Sequence, residues 1–229
     1  DVLADFTPDI ENYSIDEAFL NFKNTNTTNF EVCGIQMKQR VQKWIGLPVC
    51  IGFAETKALS KVANKIAKKF QERTGGVYVI DSEEKRIKAL KWTKVEDIWG
   101  IGFQLSKKMK AFGMISAYDF TLPHNEDFIK RTMGVVGKRL RAELSGHAVL
   151  ELEQQPETKK SIAVTRTFEK SITHLSELKE RVSTFATVAS EKLRTQKSCC
   201  YGIVLYLRKD KYKAGNERYN FSVYEALPF

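Results

Sequence analysis

The sequence lacks the features of a membrane protein and of a zinc protein. No apolar run approaches the ~18 residues that a membrane-spanning helix needs, and no segment resembles a secretory signal peptide. The four cysteines show neither a CxxC motif nor the spacing of Cys/His zinc ligands, so no zinc centre is expected. Prolines are few, and there is no low-complexity run or internal repeat. We therefore expect a folded cytoplasmic protein with one large domain or two to three small ones.

Basic residues are absent from the first 22 positions, which instead hold six acidic residues. The other 207 positions hold 37 basic and 22 acidic residues, which gives them a net charge of +15. A short acidic segment attached to a basic body suits a polyanionic partner combined with a local cation site. An ordinary basic surface is the alternative that charge alone leaves open.

The acidic segment contains two adjacent carboxylates inside an apolar and aromatic run, residues 13–22. Residues that favour strands lie on both sides of Asp16 and Glu17, which predicts a strand, a tight turn and a second strand. Neighbouring side chains of a strand point to opposite faces, so the two carboxylates share one site only if the chain turns there. A carboxylate pair at the tip of a buried hairpin suits Mg²⁺, whereas a solvated acidic turn is the simpler alternative. The residues expected to bury the flanks of the pair are Tyr13, Ile15, Ala18, Phe19 and Leu20.

A lysine-rich helix is predicted between two short strands, in a β–α–β arrangement. Thr56 is a typical helix cap, and Gly75 and Gly76 end the pattern. The strands are "LPVCIGF" before the helix and "VYVI" after it. Lysines exposed on a helix face are the simple explanation of its charge. The apolar stripe of this helix consists of Leu59, Ala63, Ile66 and Phe70.

Two glycine motifs are typical of phosphate-binding loops. "WGIGFQLSKKMK" has the pattern of a helix–hairpin–helix, in which Gly100 and Gly102 let backbone N–H groups approach a phosphate at a helix N-terminus. Lys107 follows one turn later. "MGVVGKRLR" is a second, looser copy. Such loops hold the nucleic-acid backbone without reading bases, while a plain glycine-rich turn is the alternative.

Beyond a polar segment at 151–160, predicted to be a linker, the pattern is that of an α/β module. Three strands are predicted, at 161–168, 201–208 and 219–224, with one helix after the first and a basic hairpin loop at 209–218. Three strands and one helix leave a sheet face uncovered, so we expect the chain to be a piece of a longer protein.

The motifs resemble those of the Y-family translesion DNA polymerases, in order along nearly the whole chain. "NYSIDEAFLNF" is similar to the family's Ser-Ile-Asp-Glu motif, and "LPVCIGFAETKALSKVANKIAKK" to its second palm stretch. "VEDIWGIG" resembles the thumb helix–hairpin–helix, and "SIAVTRTFEKSITHLSELK" the start of the little finger of the UmuC subgroup. The resemblance implies an α+β, multidomain fold: part of the palm at 1–76, an all-α thumb at 77–150, and an incomplete α/β little finger at 161–229.

The resemblance also implies roles for individual residues. Asp16 would ligate both ions of a two-metal Mg²⁺ site, and Glu17 would lie beside the ion at the primer terminus. Lys68 would contact the incoming triphosphate. The family's third metal carboxylate lies upstream of the region matched here, so that ligand is expected to be missing. The residues implied or inferred to contact DNA are Gly100, Gly102 and Lys107, more weakly Gly134, Gly137 and Lys138, and, from strand position and charge, Arg166, Arg208 and Lys209.

The implied activity is error-prone, DNA-directed DNA synthesis in the SOS response, with two-metal nucleotidyl transfer. Its implied partners are primer–template DNA, an incoming dNTP, a processed UmuD dimer, the RecA filament and the sliding clamp. The implied location is the bacterial cytoplasm, at the nucleoid, with no membrane partner. We expect the chain to be inactive on its own. Two alternatives stay open: a sequence-independent DNA-binding clamp or docking module, and an inert fragment.

Overall fold

The computed structural model describes residues 2–153, 158–209 and 220–228. These residues form a mixed α/β protein, as the sequence predicted, and the chain divides between residues 155 and 156 into two compact units. The division lies inside the segment 151–160 that was predicted to be a linker. Within the described ranges, the helices are too short or too polar to cross a membrane.

The first unit begins with a β-hairpin and a parallel β–α–β arrangement. Strands β1 (Ile10–Asn12) and β2 (Ala18–Leu20) pair antiparallel, and strands β3 (Ile51–Phe53) and β4 (Val77–Val79) pair parallel. The connection between β3 and β4 contains the predicted lysine-rich helix. The helices of this region are a 3₁₀ turn at Val2–Asp5, α1 (Phe30–Ile45), α2 (Lys57–Lys69) and α3 (Gln71–Thr74).

Local sequence signals fix the start of α2 and its distance from β3. The hydroxyl of Thr56 accepts a hydrogen bond from the N–H of Leu59 at 3.2 Å, which caps the helix as predicted. Gly52 of β3 lies directly beneath the helix, because a Cβ at this position would come within 2.1 Å of the backbone nitrogen of Asn64. Only glycine permits this close approach of strand and helix.

Short helices complete the first unit and share one hydrophobic core with α2. This core is continuous across residue 76, so no gap in packing separates the predicted segments 1–76 and 77–150. The helices are α4 (Glu83–Trp92), α5 (Phe103–Ala111), α6 (Ala117–Thr121) and α7 (Glu126–Leu144), with 3₁₀ turns at Val95–Asp97 and Pro123–Asn125. The core residues include Leu59, Val62, Ile66, Leu90, Met109, Phe120, Ile129 and Leu144.

A fully buried carboxylate joins the end of α7 to the start of α2. One oxygen of Glu143 accepts a hydrogen bond from the N–H of Ala58 at 3.1 Å. The other accepts from the N–H groups of Val149 and Leu150, at 2.8 and 2.9 Å. Three backbone N–H groups, one of them at the N-terminus of α2, therefore satisfy both oxygens of this buried carboxylate.

The chain that leaves α7 is also bound to the hairpin. The N–H of Glu153 donates to the carboxylate of Glu11 at 2.9 Å, and Lys57 donates to the carbonyl of Glu151 at 3.1 Å. These contacts fix the first residues of the segment predicted to be a linker against β1 and α2.

The second unit consists of helix α8 (Leu175–Thr195) and an antiparallel pair, β5 (Gly202–Arg208) and β6 (Asn220–Ala226). The strand predicted at 161–168 is wrong, because this segment forms no strand in the structure. An alternating sequence becomes a strand only where another strand pairs with it, and neither β5 nor β6 does so here. Every residue of β6 is exposed, in line with the expected uncovered sheet face. Most of the predicted loop 209–218, residues 210–218, lies outside the described residues.

Candidate active site and nucleic-acid interface

The two adjacent carboxylates lie at the tight turn of the β1–β2 hairpin, as the sequence predicted. The N–H groups of Tyr13 and Ser14 both donate to the carbonyl of Glu17 at 3.0 Å, which closes the turn. The hydroxyl of Ser14 donates to the carboxylate of Asp16 at 2.8 Å. The backbone therefore turns at the position where two neighbouring carboxylates can serve one site.

The expectation that the flanking residues bury this turn is wrong. Asp16 is exposed, and the side chain of Ile15 is fully exposed at the tip of the turn. Tyr13 also keeps 43% of its surface accessible, while Phe19 is buried. Because Ile15 lies at the outermost point of a tight turn, no neighbouring element covers it.

A lysine of α2, which the sequence analysis did not single out, meets one of the two carboxylates. Lys61 forms an ion pair with Glu17 and lies 5.6 Å from the ring centroid of Tyr13. A signal for it was present, because three lysines recur every four residues along α2 and so share one face. The two others form ion pairs of 2.5 Å, Lys57 with Glu11 and Lys65 with Asp97.

The carboxylates fit part of a magnesium site. Mg²⁺ prefers carboxylate oxygens and water, and the exposed carboxylate of Asp16 can supply such an oxygen. Lys61 occupies one oxygen of Glu17, so a metal ion there would compete with an ammonium group. Within residues 2–153, 158–209 and 220–228, no three His, Cys, Asp or Glu side chains are placed to hold a metal ion. A complete site therefore needs further ligands.

The first glycine motif forms an open loop before α5. Gly100 has a φ of 82°, a conformation that favours glycine, and a Cβ added at Gly100 or Gly102 would meet no atom within 4 Å. Gly102 is the residue before α5, and Lys107 is exposed on that helix, with its ammonium group 4.4 Å from the ring centroid of Phe103. The loop thus offers accessible backbone at a helix N-terminus with a cation nearby.

The second glycine motif forms a kink within α7. Gly134 is non-helical, with φ 62° and ψ −141°, and the space around it is open. Gly137 differs, because it is buried and a Cβ there would lie 2.7 Å from Cβ of Met133 and 2.8 Å from Cγ2 of Ile129. Gly137 therefore permits close packing within α7, whereas Gly134 and the exposed Lys138 are accessible to a ligand.

The remaining predicted residues lie apart from the hairpin turn in sequence. Lys68 is exposed in the last turn of α2, two helical turns beyond Lys61. In the second unit, Arg166 belongs to the segment that forms no strand, and its guanidinium donates to the carbonyl of Thr165 at 2.8 Å. Its assignment from strand position therefore has no structural basis. Arg208, the last residue of β5, and Lys209 are both exposed.

Family models and curated relatives point to the same protein family. The models of the impB/mucB/samB family and of its C-terminal domain match residues 1–65 and 159–228. Protein UmuC of Salmonella typhimurium is 34% identical over 95% of this chain, and Protein MucB of Escherichia coli is 31% identical over 99%. The alignments cover 51% and 54% of those two proteins, so the chain spans about half the length of the curated relatives it matches.

Solved structures agree on the fold. A Y-family DNA polymerase chimera, Dbh-Dpo4(243-245)-Dbh, matches all of this chain with a TM-score of 0.69 at 21% identity, over 62% of its own length. A DinB family error-prone DNA polymerase from Sulfolobus solfataricus matches 98% of the chain with a TM-score of 0.54 at 20% identity, over 63% of its length. Together, the family matches and the fold show that this chain belongs to the impB/mucB/samB family of UmuC-like proteins, with the fold of Y-family DNA polymerases.

Proposed function

We propose that this chain is part of an error-prone, DNA-directed DNA polymerase that acts in translesion synthesis. The observation that carries the proposal is the hairpin turn with Asp16 and Glu17, which lies against the lysine face of α2 in the same compact unit as the open glycine loop. Relatives named UmuC, and DNA polymerase IV 1 of Mesorhizobium japonicum at 26% identity over 93% of the chain, support a polymerase rather than a binding module.

The proposed domains follow the resemblance. Residues 1–76 are assigned to the palm, 77–150 to a helix–hairpin–helix thumb, and 161–229 to part of a little finger. The parallel β3–α2–β4 unit supports the palm assignment. The two glycine-initiated helical segments support the thumb, since each combines a positive-φ glycine with an exposed lysine soon after it.

In the proposed mechanism the chain binds the reacting groups and balances their charge. Asp16 and Glu17 would hold two Mg²⁺ ions together with ligands not present among the described residues. When bound, such ions activate a primer 3′-hydroxyl and neutralise the leaving pyrophosphate. Lys68 would bind the triphosphate of the incoming dNTP. The ammonium group of Lys68 would contact only the triphosphate, which is the same in every dNTP. It therefore suits a site that accepts any of the four nucleotides.

The glycine loops would hold the DNA backbone. The backbone N–H groups at Gly100 and Gly102 and the ammonium of Lys107 would contact duplex phosphates, and Gly134 and Lys138 would form a weaker second grip. Gly137 would act through packing within α7. In the little finger, Arg208 and Lys209 are the exposed cations that would contact phosphate, and Arg166 is retained on charge alone.

The similarity to UmuC also suggests protein partners and a location. The proposed partners are a processed UmuD dimer, the RecA filament and the sliding clamp, and the proposed location is the nucleoid.

The test of this proposal is primer extension by a protein of the relatives' full length that contains this chain. Asp16→Ala should abolish Mg²⁺-dependent extension, because it removes the carboxylate that would ligate both ions. Asp9→Ala, in the same acidic segment but outside the turn, serves as the matched control and should extend primers at the parental rate. Normal extension by the Asp16 variant would overturn the assignment.

A further inference from the structure

One hydrogen bond connects the carboxylate hairpin to the glycine loop. The indole N–H of Trp99 donates to the hydroxyl of Tyr13 at 2.9 Å, across 86 residues of sequence. Trp99 immediately precedes Gly100, and Tyr13 lies three residues before Asp16. The contact therefore joins the two segments that carry the two halves of the proposed site.

The two partners of this bond also pack with a third aromatic ring, that of Phe19. The ring centroids are 5.4 Å apart for Tyr13 and Phe19, 5.5 Å for Tyr13 and Trp99, and 5.6 Å for Phe19 and Trp99. Edge-to-face and tilted contacts at these separations are favourable beyond the area they bury. Rings have few rotatable bonds, so the cluster fixes the distance between hairpin and loop at a small entropic cost.

The residues next to the two glycines are anchored in the first unit, while the glycines themselves border open space. Asp97 pairs with Lys65 of α2 at 2.5 Å, and Ile98 and Ile101 are buried in the core. In contrast, the space around Gly100 and Gly102 is open. The loop thus combines anchored flanking residues with an accessible backbone at its glycines.

Tyr13 also supports the carboxylate turn directly. Its N–H donates to the carbonyl of Glu17, and its ring lies 5.6 Å from the ammonium of Lys61, which pairs with Glu17. A displacement of Tyr13 would therefore move the turn as well as release Trp99.

We propose that Trp99 and Tyr13 are positioning residues that form a joint between the glycine loop and the carboxylate hairpin. A DNA backbone held at the loop then arrives at a set distance from Asp16 and Glu17. The role in DNA synthesis rests on the proposed function, while the joint itself is a statement about this chain alone. Catalysis by positioning is sensitive to displacements of about 1 Å, so a loosened joint should lower turnover without lowering DNA affinity.

The test is a distance measurement between spin labels by pulsed electron resonance. Labels are attached at Ile15→Cys and Phe103→Cys, both well exposed, in a chain whose four native cysteines are replaced. The parent should give one narrow distance distribution. Tyr13→Phe, which removes only the hydroxyl, and Trp99→Phe should each broaden or shift it. Trp44→Phe, at an exposed position on α1, is the matched control and should leave it unchanged. The proposal would be overturned if Tyr13→Phe and Trp99→Phe both gave the same distance distribution as the control.

Two further measurements keep the outcomes distinct. Urea unfolding should show each joint variant folded, with a folding equilibrium constant lowered about twofold to tenfold, as for one hydrogen bond. The double variant should lose less than the sum of the two, because both changes remove the same bond, whereas full additivity would contradict the joint. DNA binding is measured separately on the parent, with Tyr13, Trp99 and Lys107 all intact, and Lys107→Glu is the variant expected to weaken it. Broadened distances in the joint variants, with no DNA binding by the parent, would remove the proposed function and leave the joint. DNA binding by the parent, with unchanged distances in the joint variants, would remove the joint alone.

Discussion

Lys61 of α2 forms an ion pair with Glu17 at the hairpin turn, so the structure itself supplies a cation to one of two adjacent carboxylates. The pair is partly exposed, with 24% of the lysine and 39% of the glutamate side chain accessible. At that exposure its contribution to stability is about 0–1 kcal/mol. Its importance therefore lies in the charge it places at the turn.

Replacing Lys61 by Met should strengthen divalent-ion binding at the turn. A divalent ion and an ammonium group about 6 Å apart repel each other by roughly 1.4 kcal/mol in water-like surroundings, which predicts about a tenfold gain in affinity. Mn²⁺ binding followed by electron resonance measures this gain. Lys65→Met, one turn further along the same helix, is the control and should have little effect. Weaker Mn²⁺ binding by Lys61→Met would show that the lysine does not compete with a metal ion.

Glu143→Gln should destabilise the first unit strongly. Both carboxylate oxygens accept backbone N–H groups, and the amide group of Gln offers only one acceptor oxygen. We expect a loss of about 2–4 kcal/mol, because a buried donor is left unpaired. Glu126→Gln, on the same helix and paired with Arg141 at the surface, should cost less than about 1 kcal/mol.

Urea unfolding followed by tryptophan fluorescence isolates this effect, because all three tryptophans, Trp44, Trp92 and Trp99, lie in the first unit. Equal losses in the Glu143 and Glu126 variants would contradict the role assigned to the buried carboxylate.

Asp119 should make the first unit sensitive to acid. Burial acts to raise the pKa of this carboxyl, but hydrogen bonds from the N–H groups of Ser116 and Ile115 and from the Ser116 hydroxyl lower it below its ordinary 3.8. A lowered folded-state pKa adds stability that is full above 3.8 and is lost as the pH falls through the folded-state value. Asp119→Asn should therefore flatten the fall in stability below about pH 4. It should also lower stability at pH 7, because a neutral amide oxygen at this N3 position of the α6 capping box accepts the same hydrogen bonds more weakly than a carboxylate.

The check is urea unfolding between pH 7 and pH 3. Asp127→Asn, an exposed substitution in the first turn of α7, serves as the control. An unchanged slope in the Asp119 variant would show that this carboxyl does not control acid stability.

The two glycines of the second motif should respond differently to substitution. Gly137→Ala places a Cβ against Met133 and Ile129, and such overpacking costs about 1–3 kcal/mol. Gly134→Ala meets no atom, but it forces a residue with a side chain into φ 62°, ψ −141°, a backbone region essentially restricted to glycine, at a cost of about 1–3 kcal/mol. Urea unfolding measures both losses. A loss of less than about 0.5 kcal/mol for Gly137→Ala would contradict the packing role of Gly137.

Local signals predicted the parts of the structure that depend on neighbouring residues. Thr56 caps α2, and Asp16 and Glu17 lie at a turn, as the sequence indicated. The ion pair of Lys61 with Glu17 depends on which face of α2 meets the hairpin, and that is decided by packing between distant segments. The strand expected at 161–168 depends on a pairing partner, so alternation alone predicted it wrongly.

The most direct test of the central claim is binding of this chain to labelled primer–template DNA across a salt series. If the glycine loops grip phosphates, log affinity should fall with log salt by about 0.9 per phosphate neutralised, with little sequence preference. Lys107→Glu should weaken binding to every sequence and reduce the slope by about 1, and Lys43→Glu, an exposed lysine on α1, is the charge-matched control. Undetectable or salt-independent binding, or equal losses in the two variants, would contradict a DNA-holding role for this loop.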